Sequence, residues 1–570
     1  MPRPGRSPCL QCRYRKVRCD RQQDTCGSCE RLQFACSFKQ PSGQKKDQKN
    51  AQSAPPERRR ASRACLACKR LKARCSGELP ECDNCRRRQK RCRYASSDLS
   101  ETAVESSKPL NESKDMGGSS SPLFPIRRQE ILDAIDRFFL HLYPILSFSF
   151  LHEPSIRQHC ASGTLDHSLT LVLAAVTNVY LSSDQLLLQE CKSWIHRVET
   201  EIWEHLHQPS IIRVQTLLLV VHYHIQTGEF SRAYMLAGMA ARSATALRLN
   251  YERPELGFVA QETRRRVLWA LTSVDGIFSV GLPEYETMPY AIVYQQLPSS
   301  EEEYTGLREP QTHPNLLAAC FQVSKIQRDV MRLTRQLAIS DKHLVELPGL
   351  VQEIQNDLWR LHSDLELTAD FSISAARQPL KMKGSRWFAR YLMASLSWHQ
   401  VHCDLYRIFL PGYAEAVPTV IMDATDVNFR HHAAEMCRIH VQLIFKILCG
   451  VLKEADVPLL PLYVAVCTYQ AARLTLFLSS LPSENTRITT ESARGSAATA
   501  LEILYKFFSA TPWAQDIIAD LERLVQSVGT PEVGGHSVHG DSARHRHSQL
   551  AVHSLIRQAN FVDGGYELTR

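Results

Sequence analysis

The sequence lacks several features that would place it in common classes of protein. Its longest uninterrupted apolar runs, such as LTLVLAAV from Leu169 and LPLYVAVC from Leu460, fall well short of the ~18 residues that a membrane span needs. The opening stretch MPRPGRSPCLQ offers no apolar segment that could act as a signal peptide. No Gly-rich phosphate loop, no G-x-S-x-G and no H-E-x-x-H occurs. We therefore expect an intracellular protein that is not an enzyme and has no membrane partner.

Charge of opposite sign is concentrated in different parts of the chain. Residues 1–94 hold 26 Lys and Arg against 8 Asp and Glu, a net charge of +18. The remainder carries a net charge of −9, so the whole chain is +9. A basic stretch of this kind is either a solvated, disordered arm or a surface that binds a polyanion.

Cysteine is abundant only near the beginning, where 12 of the 19 cysteines lie within residues 9–92. They form two sets with the same spacing, C-x2-C-x6-C-x6-C-x2-C-x6-C, and each member of the second set follows its counterpart by 56 residues. The first set is Cys9, Cys12, Cys19, Cys26, Cys29 and Cys36, and the second is Cys65, Cys68, Cys75, Cys82, Cys85 and Cys92. Five spacings repeated in order indicate a duplicated module.

Metal binding is the best explanation of these cysteines, because thiols in a reducing compartment are more often metal ligands than disulfides. A C-x2-C pair brings two thiolates onto one tight turn, and zinc takes four such ligands at ~2.3 Å. Six cysteines are too few for two separate four-thiolate sites and too many for one. Two zinc ions sharing two bridging thiolates is the economical solution. A metal-storage or redox module is the alternative, but it has no reason to be so basic.

Both modules resemble the fungal Zn₂Cys₆ binuclear cluster of zinc-cluster transcription factors. The resemblance implies four zinc ions per chain, two short helices around the metals of each module, and all twelve cysteines as ligands. It also implies that the first and fourth cysteines of each module bridge the metals, which are Cys9 and Cys26, then Cys65 and Cys82.

Basic residues follow the second cysteine of each module, where a short helix would present them to the major groove of DNA. Arg and Lys can hydrogen-bond guanine O6 and N7. In the family, the third and fourth residues after this cysteine read a CGG-type triplet, which assigns that role to Arg15 and Lys16, then to Leu71 and Lys72. Leu71 departs from the basic pattern. The predicted DNA-binding set is Arg13, Arg15, Lys16 and Arg18 in the first module and Lys69, Arg70, Lys72 and Arg74 in the second. The alternative is a zinc module that grips phosphate or another protein without reading bases.

The segments around the modules read as linkers. Residues 95–126 are rich in Ser, Gly and Pro and show no heptads, so no dimerisation helix is predicted there. The 28 residues from Ser37 to Ala64 would span roughly 30 Å as a flexible coil, so one chain could occupy two half-sites about one DNA turn apart. KKDQK from Lys45 and PERRRASR from Pro56 are nuclear-import signals or further phosphate contacts.

The body from about Ile126 to Val528 has a helical pattern, and no alternating strand pattern stands out. FFLHLYPILSFSFLHEPSI from Phe138, RRRVLWALTSVDG and LPSSEEEY from Leu297 together resemble the middle homology region of the same fungal factors. The resemblance implies an all-α regulatory domain that controls output or binds a small-molecule effector. The scattered body cysteines, and His222 and His224 in the apolar segment from Ile211, read as core residues.

These observations predict a mainly α protein with two small zinc-stabilised modules followed by a large all-α domain. The predicted boundaries are a first zinc module (1–40), a basic linker (41–62), a second zinc module (63–95), a Ser-rich linker (96–126), the all-α regulatory domain (127–528) and a disordered His-, Gly- and Ser-rich tail (529–570).

The predicted function is zinc-dependent, sequence-specific binding of double-stranded DNA in the nucleus, to regulate RNA polymerase II transcription with co-regulators or the transcription machinery. From the family alone, the targets would be a metabolic or secondary-metabolite gene cluster. The alternative is a chromatin or protein-binding scaffold that uses the modules as basic surfaces, without sequence-specific recognition. The oligomeric state does not follow from the sequence.

Overall fold

The computed structural model describes two parts of the chain in different depth. In the amino-terminal part it describes Cys9, Cys12, Cys19, Asp20, Gln22, residues 25–31, Cys36, Cys68 and residues 82–88. In the body it describes residues 126–306, 316–338, 347–366, 385–453, 459–481, 488–527 and 554–559. The chain divides into two compact units, Met1–Ser119 and Ser120–Arg570.

The described residues form helices joined by loops, and no strand occurs among them, so the prediction of a mainly α fold is confirmed. Among the described residues of the first unit, two short helices have assigned bounds, α1 (Gly27–Glu30) and α2 (Asp83–Arg87), and Cys12 and Cys68 are also helical. The first half of the second unit contains α3 (Arg128–Arg137), α4 (Glu153–Ser162), α5 (His167–Leu181), α6 (Gln185–Glu204), α7 (Ile211–Thr227), α8 (Phe230–Ala246), α9 (Phe258–Ser279) and α10 (Glu301–Thr305). The second half contains α11 (Leu316–Ala338), α12 (Leu347–Glu366), α13 (Phe388–Arg407), α14 (Thr419–Ala424), α15 (Val427–Lys453), α16 (Leu462–Ser480), α17 (Thr490–Phe508), α18 (Gln515–Ser527) and α19 (Leu555–Gln558). Short 3₁₀ turns lie at Leu146–Phe148, Pro283–Tyr285, Tyr290–Ile292 and Pro512–Ala514, and a π turn at Phe138–Leu142.

Helices that are close in sequence pack against each other in the second unit. In its first half, α5 contacts α6 and α7, and α7 contacts α8. In its second half, α11 packs against α13, α13 against α15, and α16 against α15 and α17. Helix α9 contacts members of both groups, namely α7, α8 and α11. One continuous apolar core therefore extends through the unit, with α9 at its middle.

Local sequence signals set the ends of the helices. Asp166, Asp184 and Ser210 precede α5, α6 and α7, and each side chain accepts a hydrogen bond from a backbone N–H in the first turn. Gly228 ends α7 in the left-handed conformation at φ +83°, where a Cβ would lie 3.0 Å from the Cβ of Pro512. Glycine suits this position for both reasons.

The apolar segment from Ile211 forms the buried helix that the sequence predicts, with every residue from Val214 to Ile225 buried. The two histidines on it face different neighbours, as their spacing requires. His222 Nε2 lies 3.3 Å from the carbonyl oxygen of Ser147, and His224 Nε2 lies 2.9 Å from Glu199 Oε1. Both are core histidines in this structure.

The structure describes one short segment of the tail at 529–570 for which the sequence predicts disorder. Residues 554–559 include helix α19, which contacts α8 and α9. Leu555 is fully buried, and Gln558 Nε2 donates to the carbonyl oxygen of Trp513 at 3.0 Å. Contact with the body explains why a four-residue helix forms where the surrounding composition predicts none.

Among the described residues, no helix combines the length and the apolar character that a membrane crossing requires.

Burial of His222 makes the stability of the body pH-dependent. The ring is 3 % exposed and stacks on Phe148 with ring centroids 3.9 Å apart. Burial lowers the pKa of His222 to about 4, so below its ordinary pKa of about 6.5 the unfolded chain binds a proton that the folded chain does not. We expect His222 to cost about 2 kcal/mol of unfolding free energy between pH 7 and pH 5.

The measurement is urea unfolding of wild type and of His222→Phe at both pH values. The variant should lose less stability on acidification, while replacement of the exposed His207 by Gln should leave the wild-type pH dependence unchanged. An equal loss in wild type and in His222→Phe would contradict the prediction.

Candidate metal centres and nucleic-acid interface

Each zinc module places its fourth and fifth cysteines at the start of a short helix. Cys26 and Cys82 are the N-cap residues of α1 and α2, with nearly the same extended backbone (φ −74°, ψ 144° and φ −73°, ψ 148°). Cys29 and Cys85 are the third residues of these helices. An N-cap side chain reaches the N–H of the third helical residue, so the C-x2-C spacing brings both sulfur atoms to the same end of the helix.

The sulfur atoms of the first module form a compact cluster. Cys9 Sγ lies 3.6 Å from Cys26 Sγ and 3.7 Å from Cys29 Sγ, and Cys12 Sγ lies 3.5 Å from Cys26 Sγ. These distances are far longer than a disulfide bond of ~2.05 Å. They approach the sulfur–sulfur edge of about 3.8 Å that a tetrahedron of thiolates at ~2.3 Å from zinc would have. The sulfur atoms of all four cysteines, Cys9, Cys12, Cys26 and Cys29, lie within 4.8 Å of one another.

The second module shows the same arrangement in its described residues. Cys68 Sγ lies 3.7 Å from Cys82 Sγ and 4.0 Å from Cys85 Sγ. Cys65, Cys75 and Cys92 lie outside the described residues. The first module has Cys19 beside Cys26 and the Sγ of Cys36 accepting the backbone N–H of Cys26 at 3.5 Å.

Backbone N–H groups donate hydrogen bonds to sulfur atoms in both modules. The N–H of Cys12 donates to Cys9 Sγ at 3.4 Å, and the N–H of Cys85 donates to Cys82 Sγ at the same distance. A hydrogen bond to sulfur favours the thiolate over the thiol. The four-sulfur group of Cys9, Cys12, Cys26 and Cys29 is buried, and burial raises the pKa of these thiols. Buried thiols of this kind ionise when a cation binds their thiolates, as zinc does.

Two polar side chains next to the sulfur clusters were not singled out by the sequence analysis. Asn84 Nδ2 donates to Cys68 Sγ at 3.1 Å, the kind of outer contact that orients a metal ligand. Asp20 Oδ2 accepts the N–H of Gly27 at 2.9 Å, and a Cβ on Gly27 would lie only 2.8 Å from that oxygen. Asparagine between two cysteines and aspartate after Cys19 are the only sequence signals of these roles.

The donor set fits zinc. Among the described residues, four buried cysteine sulfurs in the first module and three in the second lie within 4.8 Å of one another. Thiolate sulfur in tetrahedral groups of this size selects Zn²⁺ over the hard cations Mg²⁺ and Ca²⁺. Zinc bound here would hold together a segment whose described buried side chains are cysteines.

The predicted DNA-binding residues lie outside the described residues. These are Arg13, Arg15, Lys16, Arg18, Lys69, Arg70, Lys72 and Arg74. The described residues add an exposed basic group at the end of α2, formed by Arg86, Arg87 and Arg88, which the sequence analysis did not include. Cations at a helix C-terminus also stabilise the helix, so their position alone does not assign them to DNA.

A buried ionic network joins the three segments of the body that carry the middle-region resemblance. Tyr143 comes from the first segment, Arg266 from the second and Glu301 from the third. Arg266 Nη1 lies 3.0 Å from Glu301, and the Tyr143 hydroxyl donates to Glu301 Oε2 at 2.9 Å. Arg266 Nε also donates to Glu262 Oε1 at 2.8 Å, and Arg390 Nη1 donates to Glu301 Oε1 at 2.6 Å. The network therefore connects α9, α10 and α13 across the core.

The charges in this network are strongly stabilised. Burial alone would raise the pKa of Glu301, but the guanidinium groups of Arg266 and Arg390 lower it to about 2. Arg266 and Arg390 are each 1 % exposed. This network orders the fold of the body and presents no open surface to a ligand.

Comparison with known proteins identifies both parts of the chain. Residues 7–45 and 63–100 match the fungal Zn(2)-Cys(6) binuclear cluster domain, and residues 135–369 match the fungal specific transcription factor domain. The Zn(2)-C6 fungal-type transcription factor FTF1c of Fusarium oxysporum f. sp. lycopersici is 25 % identical over 323 residues, covering 39 % of this chain and 34 % of the relative. FTF1a of the same organism is 25 % identical over 331 residues, covering 40 % and 30 %. The uncharacterized transcriptional regulatory protein C1327.01c of Schizosaccharomyces pombe is 23 % identical over 176 residues, covering 28 % and 18 %.

Duplicated sulfur clusters ahead of a large helical domain define the class of zinc-cluster regulators. The chain belongs to the fungal Zn(2)-Cys(6) transcription factor family. Each of its two zinc-cluster domains binds two zinc ions, and these family matches confirm the prediction that the chain is not an enzyme. The chain spans about a third of the length of the curated relatives FTF1c and FTF1a.

Proposed function

We propose that this protein is a nuclear, zinc-dependent regulator of RNA polymerase II transcription that binds DNA by sequence and reads CGG-type triplets. The observation that carries the proposal is the recurrence of one sulfur-cluster geometry in two modules of a strongly basic segment. In both modules an N-cap cysteine, Cys26 or Cys82, lies within 3.7 Å of the sulfur of the second cysteine. A repeated rigid scaffold with basic residues between its ligands suits two contacts with DNA.

Zinc ligation would use all twelve cysteines of the two sets, with Cys9 and Cys26 bridging in the first module and Cys65 and Cys82 in the second. The sulfur atoms of Cys9, Cys12, Cys26 and Cys29 lie within 4.8 Å of one another, which supports shared ligation, and the bridging roles come from the family resemblance. We also propose the domain boundaries predicted from the sequence, with modules at 1–40 and 63–95 and the regulatory domain at 127–528.

DNA recognition divides into two tasks. Arg15, Lys16 and Lys72 address guanines in the major groove, where a good contact contributes about 1–3 kcal/mol of discrimination. The other cations of the predicted set contact phosphates and release counterions. With a net charge of +18 over residues 1–94, this unit should bind DNA with a strong dependence on salt.

Regulation is assigned to the helical body, through co-regulators or the transcription machinery and through a small-molecule effector. From the family resemblance we further propose that the targets form a metabolic or secondary-metabolite gene cluster. Genome-wide mapping of bound sites would report the targets and the spacing of the half-sites together.

The test of base reading uses the full chain, loaded with zinc, and two lysines of the second module. On a duplex with CGG triplets, Lys72→Met should weaken binding by about 5- to 150-fold and reduce the preference over a scrambled duplex. The matched variant Lys69→Met should weaken binding to both duplexes equally and lower the salt slope by about one. Titrations at several salt concentrations measure both effects.

Equal affinity of the wild-type protein for the CGG and scrambled duplexes at the same salt would contradict the proposal. That result would favour a chromatin or protein-binding scaffold whose modules grip without base choice.

A further inference from the structure

A cavity of about 350 Å³ lies in the second unit among α9, α11, α13 and α16. Its volume falls within the ~300–1,000 Å³ of pockets that bind small molecules. Much of the wall is apolar, with Ile277, Met331, Met393, Leu462 and Val466 among the lining side chains. The cavity does not include any residue of the zinc modules or of the Tyr143–Arg266–Glu301–Arg390 network.

Helix α13 supplies part of the polar lining of the cavity from one face, and other polar lining residues, such as Ser324 and Gln470, come from α11 and α16. Gln400, Asp404 and Arg407 are spaced by four and three residues, so they lie on the same stripe of the helix. Gln400 Nε2 donates to Asp404 Oδ1 at 2.8 Å, and Arg407 Nη2 lies 3.2 Å from the same oxygen. Both side chains therefore converge on Asp404.

Two polar atoms of this group have no hydrogen-bond partner among the described residues. They are Gln400 Oε1, an acceptor, and Arg407 Nε, a donor. Gln400 is 2 % exposed and Arg407 is 6 % exposed, so neither atom is satisfied by bulk water. A buried polar group without a partner costs about 1–3 kcal/mol, and such a pair at the wall of a cavity indicates a missing partner.

Charges at the cavity wall are already balanced. Arg407 is paired with Asp404, and Arg328 lies 3.4 Å from Asp275. Arg335 lies 2.9 Å from Glu284, and Glu415 lies 3.1 Å from Arg473. A charged ligand would have to be desolvated without a counter-charge, which is strongly unfavourable.

Water alone would fill the cavity poorly. The volume is about ten times the ~30 Å³ that one water molecule takes in the liquid, and only the stripe on α13 offers the paired donor and acceptor described above. Displacing weakly held water from apolar walls favours an apolar ligand.

We propose that this cavity binds a neutral, mainly apolar small molecule with a hydroxyl or amide group that donates to Gln400 Oε1. The inference rests on the proposed regulatory role of the body only for its biological meaning. Binding of a small molecule to the cavity is tested without DNA. It assigns a site and a chemical class to the effector.

The experiment measures binding of four probes on one apolar frame to the full chain by equilibrium dialysis. The probes are the alcohol 2-naphthaleneethanol, the hydrocarbon 2-ethylnaphthalene, the carboxylate 2-naphthaleneacetate and the ammonium compound 2-(2-naphthyl)ethylamine. The alcohol should bind in a saturable way, and at least about tenfold more tightly than the carboxylate and the ammonium probe, because a charge would be buried without a partner.

Variants on α13 locate the site. Ser397 lines the cavity and is partly buried, so Ser397→Phe should fill the space and weaken alcohol binding by at least about tenfold. The matched Ser397→Ala variant should bind within about twofold of wild type because it leaves the space open. Gln400→Met should weaken binding of the alcohol by about three- to tenfold and leave binding of 2-ethylnaphthalene unchanged, since only the alcohol loses a hydrogen bond.

Two results would overturn the proposal. One is the absence of saturable binding of every probe to the wild-type chain, which would mean that the cavity holds water only. The other is tighter binding of a charged probe than of the alcohol. The wild-type comparison decides the matter even if a variant fails to fold, and titration with CGG duplexes separately decides the DNA-binding role.

Discussion

Replacing Cys26 by serine is expected to lower the zinc content of the full chain from four ions to two. Cys26 Sγ lies 3.6 Å from Cys9 Sγ and 3.5 Å from Cys12 Sγ, within the first sulfur cluster. If its thiolate is shared by both metals, its loss leaves each ion one ligand short of a closed structural site. Structural zinc contributes about 10–16 kcal/mol of apparent folding free energy, so the first module should unfold.

Native mass spectrometry of the full chain measures the metal content, and titration with DNA measures the consequence. Affinity for a duplex with two CGG triplets should fall to that of a single module. The control is Cys449→Ser, which changes a partly buried cysteine of the body and should retain four zinc ions. The prediction fails if the Cys26 variant retains all its zinc, or if the wild-type protein carries none and its thiols are joined as disulfides.

Replacing Arg266 by methionine is expected to destabilise the body by about 3–5 kcal/mol, because it removes part of the charge that compensates two buried carboxylates. Arg266 is 1 % exposed and contacts both Glu262 and Glu301 at 2.8–3.0 Å. The free energy of unfolding in urea gives the effect. The double variant Arg266→Met with Glu301→Gln should be less destabilised than the sum of the two single variants, since the second change removes one of the two carboxylates that have lost a counter-charge.

The matched control is Arg360→Met, which removes an ion pair with Asp357 whose arginine side chain is 75 % exposed. An exposed pair of this kind contributes only about 0–1 kcal/mol. A loss of stability in Arg266→Met no greater than in Arg360→Met would show that the network does not hold the body together.

The zinc modules and the helical class of the body could be predicted because both depend on regular spacing. Cysteine spacing reports ligand geometry directly, and the apolar segments report helices. The helical pattern of the body corresponds to long helices such as Phe388–Arg407, Val427–Lys453 and Leu462–Ser480.

The burial of the basic run Arg264–Arg266 could not be predicted, because charged residues are normally exposed. Their burial depends on partners elsewhere in the sequence, such as Glu252 for Arg265 and Glu301 for Arg266. For the same reason, the helix at Leu555–Gln558 is too short for a local pattern and depends on contact with the body. A cavity is a place that side chains leave empty, so no residue pattern indicates it.

The position of Arg390 bears on how the chain can be divided for study. The stretch that matches the fungal specific transcription factor domain stops at residue 369, whereas Arg390 donates to Glu301 within it at 2.6 Å. A fragment cut at that limit would expose the apolar surface that α13 covers, and would leave a carboxylate in the interior with half of its counter-charge removed. Such a fragment should aggregate or be degraded. The segment that matches the family domain is therefore shorter than the part of the chain that can fold by itself.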